Sequence, residues 1–129
     1  MPRSKRKESA PPPVITLGPL TIDRDRALFT RAETVVQLTP KESLLLWTLM
    51  AHANQVMSRA DLMHHVWQTD YVDDTRTLEV HIHWLRKKIE PDPRHPAYLH
   101  TMRGQGYVFI WPAPDDPAPM DDLRVAVDD

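Results

Sequence analysis

The stretch Thr75-Arg76-Thr77-Leu78-Glu79-Val80-His81-Ile82-His83-Trp84-Leu85-Arg86-Lys87-Lys88-Ile89-Glu90 returns to an apolar residue every three or four positions. At 100° per residue, Leu78, Ile82, Leu85 and Ile89 fall in one narrow stripe, as on a helix with one face against a core. Pro91 and Pro93 stop it, so a helix is expected over about 75–90. The opposite face carries Arg76, Val80, His83, Trp84 and Lys87, with Thr77 at its edge. Large apolar groups exposed among cations usually mark a contact with another molecule. In a DNA major groove Val80 can cover a thymine methyl, Trp84 offers an apolar body with one N–H donor, and the cations meet phosphates or guanine edges. His81, Arg86 and Lys88 lie on the flanks, where the sugar-phosphate walls would pass. A competing reading packs Trp84 under a neighbouring hairpin and leaves the charges as an ordinary solvated face. The helix by itself supports the two equally.

Upstream, Ser58-Arg59-Ala60-Asp61 caps a shorter helix through Leu62, Met63 and Val66, and the polar loop 68–74 joins the two helices. Asp73-Asp74 suits a helix cap better than an acid/base or metal pair. Further upstream, Thr39-Pro40-Lys41-Glu42 is a strong helix start, with a Thr cap, Pro at the first position and Glu three residues after Thr39. That helix runs to about His52 or Ala53 with Leu45, Leu46, Leu49 and Met50 buried, and Asn54 suits its end. Val56-Met57 is a brief extended link, and Trp47, Met57 and Met63 are assigned to the core. Trp67 fits a core position equally well as a surface one. Residues 14–38 read as short strands at 14–17, 20–22, 27–29 and 35–38, spaced for an antiparallel meander. Downstream, residues 99–103 and 107–110 flank Gly104-Gln105-Gly106, a hairpin turn that demands positive φ. Strands, three helices and a terminal hairpin make an α+β winged helix-turn-helix.

The chain has 129 residues, Pro 13, Gly 3 and Cys 0. Lack of cysteine excludes disulfides, thiolate zinc sites and cysteine nucleophiles. Neither His64-His65 nor His81 and His83 shares a helix face as an i, i+4 pair would, which argues against a histidine metal site. The longest nearly apolar stretch, 44–51, is far below the ~20 residues of a membrane span. No Gly-x-Ser-x-Gly or phosphate-cradling glycine loop occurs, and the composition suggests no enzyme and no cofactor. A soluble cytoplasmic domain is expected at 14–111, between a basic, proline-rich disordered arm at 1–13 and a disordered acidic tail at 112–129. The net charge of −2 conceals this segregation. Residues 1–9 carry +3, residues 112–129 carry −5, and 75–111 carry +3 within a neutral body. A local basic patch, not the net charge, sets the field that a polyanion meets.

Six blocks occur in order: Leu38-Thr39-Pro40-Lys41-Glu42, Ser58-Arg59-Ala60-Asp61-Leu62, Val66-Trp67, Asp74 through Ile82, Leu85 through Ile89, and Tyr98-Leu99-His100-Thr101-Met102-Arg103-Gly104-Gln105-Gly106-Tyr107. Together they resemble the DNA-binding output domain of OmpR/PhoB-type bacterial response regulators, over essentially 14–111. The resemblance implies double-stranded DNA with tandem half-sites as partner, with the third helix in the major groove and the hairpin wing in the minor groove. It implies DNA-backbone contacts by Trp67, Arg76, His81, Arg86 and Thr101, to which the face and flank of the helix add Lys87 and Lys88, and base contacts by Val80, His83, Trp84 and Arg103. Loop 68–74, with Tyr71 and Asp73, matches a segment that in several members touches RNA polymerase. Many members have Arg at the positions of His83 and Trp84, so no operator sequence carries over. Members usually also carry a receiver domain with a phosphorylatable Asp, for which this sequence has no room. Docking of a protein partner through Trp84, without DNA, is the alternative function.

Overall fold

The computed structural model describes residues 12–69 and 75–113. Strands β1 (Val14–Leu17), β2 (Leu20–Asp23), β3 (Leu28–Arg31) and β4 (Thr34–Gln37) form an antiparallel sheet in the order β1-β2-β3-β4. Alternation puts Leu20 and Ile22 of β2 on the inner face, and Phe29 of β3 lies opposite Ile22; all three are fully buried. The β3 start shifts from the sequence expectation because Ala27 is in the left-handed region, at φ 57°, and turns the chain instead of extending it. Its carbonyl accepts from the Leu38 N–H, so Leu38 lies beyond β4 as a buried lead into the first helix.

Helix α1 (Pro40–Ala51) begins with both halves of the capping box: Thr39 Oγ1 accepts from the Glu42 N–H at 3.2 Å, and the Thr39 N–H donates to Glu42 Oε1 at 2.9 Å. Its buried stripe includes Leu45, Leu46, Leu49 and Met50. The helix gives way to a turn in which Asn54 is left-handed, at φ 68°, and the Asn54 amide exchanges two hydrogen bonds with the Trp111 backbone. Helix α2 starts at Arg59, capped by Ser58 Oγ, and after Leu62 widens into a π-turn over Met63–Trp67. Left-handed Gln68 ends it, and the Lys41 ammonium donates to the Val66 carbonyl at 3.0 Å.

Helix α3 (Arg76–Ile89) buries Leu78, Ile82, Leu85 and Ile89, the stripe expected from its periodicity. Each such side chain contributes about 1.5–3 kcal/mol on burial. The Arg31 guanidinium caps the far end by donating to the Ile89 carbonyl. The wing comprises β5 (Leu99–Met102) and β6 (Gly106–Phe109), and Gly104 and Gly106 both have positive φ. Met57, in the link between α1 and α2, exchanges backbone hydrogen bonds with Tyr107 at 2.8 and 3.0 Å, adding a single antiparallel rung on the other edge of β6. A Cβ at Gly106 would sit 2.0 Å from the Met57 carbonyl oxygen, so glycine is required there by space as well as by φ.

Candidate nucleic-acid interface

Because the apolar stripe of α3 turns inward, Arg76, Thr77, Val80, His83, Trp84 and Lys87 are exposed together on its outer face. Val80 is 41% and Trp84 44% exposed, so Trp84 does not pack under the wing. Arg76, Thr77, Val80, His81 and Trp84 line an open concavity of about 450 Å³. Its floor is braced by an aromatic row. The His81 ring lies 5.0 Å from that of Trp67, nearly perpendicular, and 5.1 Å from that of Trp84. His81 Nδ1 is 2.8 Å from the Thr77 carbonyl; as the donor there, it leaves Nε2 as the ring's second site. Trp67 itself is half-buried and packs against the core, so it serves both of the positions the sequence left open.

The inner flank of α3 uses its cations differently. Arg86 Nε donates to the Leu99 carbonyl at 3.0 Å, and its NH2 nitrogen donates to Thr101 Oγ1 at 2.8 Å. Burial pulls the Arg86 guanidinium below its usual pKa, with Tyr107 and Glu90 opposing. The Lys88 ammonium lies 2.7 Å from Glu42 Oε1, joining the end of α3 to the start of α1. Burial raises the Glu42 pKa, but hydrogen bonds and charge from Lys88, with the Thr39 amide, outweigh it and hold the carboxyl below its ordinary range. Arg86, Thr101 and Lys88 therefore hold α3, wing and α1 together. Among the described residues, His83, Lys87 and exposed Arg103 at the wing turn have no ion pair or side-chain hydrogen bond.

Two supporting residues escaped the sequence reading. Arg59 lies 3.7 Å from Glu79 and 5.3 Å above the Tyr107 ring, so it ties α2 to both α3 and the wing. Buried Glu90 accepts from the backbone N–H groups of Ala97, Tyr98 and Leu99, which fixes the entry into β5. The partners of Arg59 are remote in sequence, and those of Glu90 lie seven to nine residues on, across the proline-containing turn at 91–96. Tyr71, Asp73 and the Asp73-Asp74 cap lie outside the described residues, as do 1–11 and 114–129. Among the described residues, no group of three or more His, Cys, Asp or Glu could hold a metal, and no helix is long and apolar enough to cross a membrane.

This architecture recurs in solved structures. The Klebsiella pneumoniae RstA DNA-binding domain, in complex with the RstA box, has a TM-score of 0.68 at 32% identity, covering 75% of this chain and 96% of that one. Thermotoga maritima DrrB, a response regulator described as an OmpR/PhoB homologue, has a TM-score of 0.71 at 30% identity, covering 84% of this chain and 49% of that one. Among curated proteins, the sensory transduction protein RegX3 of Mycobacterium leprae is 44% identical over 94 residues, covering 73% of this chain and 48% of RegX3. A probable transcriptional regulatory protein of Picosynechococcus is 50% identical over 74 residues, covering 57% of this chain and 30% of that protein. The chain thus spans half or less of the length of these curated relatives. Residues 33–109, from the last strand of the meander through the wing, match the family described as transcriptional regulatory protein, C terminal, and the chain belongs to that family in its OmpR/PhoB form.

Proposed function

We propose that this domain binds specific double-stranded DNA sequences as the output module of a two-component-type transcription regulator. It acts in the cytoplasm by binding and not by bond-making chemistry. The observation that carries this reading is the outer face of α3, where Val80 and Trp84 stand exposed among Arg76, His83 and Lys87. In this reading α3 enters the major groove, where Val80, His83 and Trp84 face the bases. Arg76, Lys87 and the imidazolium form of His81, through Nε2, meet phosphates, and Arg103 reaches the minor groove from the wing. Trp67 supports His81 from behind. Arg86, Thr101 and Lys88, which the sequence placed on the DNA backbone, act instead by positioning the helix and the wing.

Salt titration of duplex binding tests this. Arg76, His81, Lys87 and Arg103 supply ~3–4 phosphate contacts, for a slope of log K against log salt near −3 to −4. A slope near zero, or no binding in low salt, sinks the proposal and favours protein docking through Trp84. In vitro selection from random duplexes then gives the half-site and its spacing.

A further inference from the structure

Among the described residues, the concavity on α3 is poor in the groups that read a base by hydrogen-bond pattern. It holds no Asn or Gln, and its lining brings together the Val80 methyls, the Trp84 ring and the His81 imidazole. Val80 and Trp84 are one helical turn apart, so they present adjoining apolar surface. The Trp84 ring is tilted at 57° against His81, which in turn meets Trp67 nearly edge-on, so this surface is backed by packed rings. The multi-donor head in the lining belongs to Arg76, a turn before Val80. Trp84 adds one donor and no acceptor, where a two-bond pairing takes two donors for guanine and a donor with an acceptor for adenine. Such a surface gains by covering a methyl group and gains little from the hydrogen-bond pattern of the base that carries it.

In a major groove the methyl within reach is the one on C5 of a pyrimidine. Thymine carries it and uracil and cytosine do not. Enzymatic methylation of cytosine at C5 puts the same group in the same place. We propose that the Val80–Trp84 concavity is a C5-methyl reader, so that at one position of the site 5-methylcytosine replaces thymine and cytosine methylation raises affinity. The proposal rests on the DNA-binding reading above and adds a regulatory input to it: a covalent mark on the DNA tunes occupancy without any change in the protein.

The test uses the full chain and the selected duplex. Each thymine is replaced in turn by uracil, and at any sensitive position the T·A pair is also replaced by C·G and by 5-methylC·G. Burial of one methyl corresponds to about a fourfold change in affinity. The expected result is one position where thymine exceeds uracil by about fourfold and 5-methylcytosine exceeds cytosine by a similar factor. Both ratios should fall toward one in Trp84→Ala and in Val80→Ala. Methyl ratios near one at every position in the wild-type chain overturn the proposal, and they need no variant that has to fold. Ratios that persist undiminished in both variants also overturn it. Absence of any duplex binding in low salt overturns the DNA-binding reading itself, and so separates the two failures.

Discussion

The outer face and the inner flank of α3 draw on the same residue types and put them to opposite uses. On the outer face Lys87 and His83 project with no ion pair or side-chain hydrogen bond among the described residues, beside exposed Val80 and Trp84. One position away from Lys87 on either side, Arg86 and Lys88 turn inward to the wing and to the capping carboxylate of α1. A run of three cations thus contains one candidate phosphate contact and two internal struts. Counting basic residues overstates the electrostatic footprint of such a helix. Burial and partners decide which charges a polyanion can use.

The comparison breaks first at Arg86. Arg86→Ala leaves the Leu99 carbonyl without its side-chain donor and should cost about 2 kcal/mol of stability, lowering Tm by ~8–16 °C. A thermal melt that matches wild type would return Arg86 to the outer set. Lys88→Met should cost ~1–2 kcal/mol at neutral pH, allowing for the partial exposure of the ammonium. The sign with pH follows from Glu42. Its carboxyl pKa is lowered by folding, so its contribution is complete above the ordinary carboxylate range and disappears as pH falls through the folded value. The gap between wild type and Lys88→Met in denaturant titrations should therefore close as pH falls below the ordinary carboxylate range. A gap independent of pH would show that Lys88 acts by packing alone.

Lys87→Ala should be the mirror image. Stability stays within about 0.5 kcal/mol, while the salt slope of DNA binding flattens by ~0.9. Loss of stability without a change in slope would erase the distinction between face and flank.

What the sequence disclosed was governed by local rules. The α3 stripe, the Thr39/Glu42 box and the Ser58 cap each depend on residues within a turn or two, and each stands in the structure as read. Hidden were the pairings set by tertiary approach. Glu42 and Lys88 lie 46 residues apart and Arg86 and Thr101 fifteen, so sequence could place these cations on a helix but not choose their direction. The row Trp67–His81–Trp84 crosses a loop in the same way. The shift at Ala27 has another cause, since an alanine in a left-handed turn has no local signal beside a β-compatible Leu-Phe pair.

The rung between Met57 and Tyr107 has an evolutionary corollary. It consists of main-chain hydrogen bonds, which are indifferent to the side chains at either position. The pitch of the wing against the link is therefore inherited through backbone, with Gly106 as the fixed point. Residues at the wing tip, Arg103 among them, can therefore be exchanged while the wing keeps its aim.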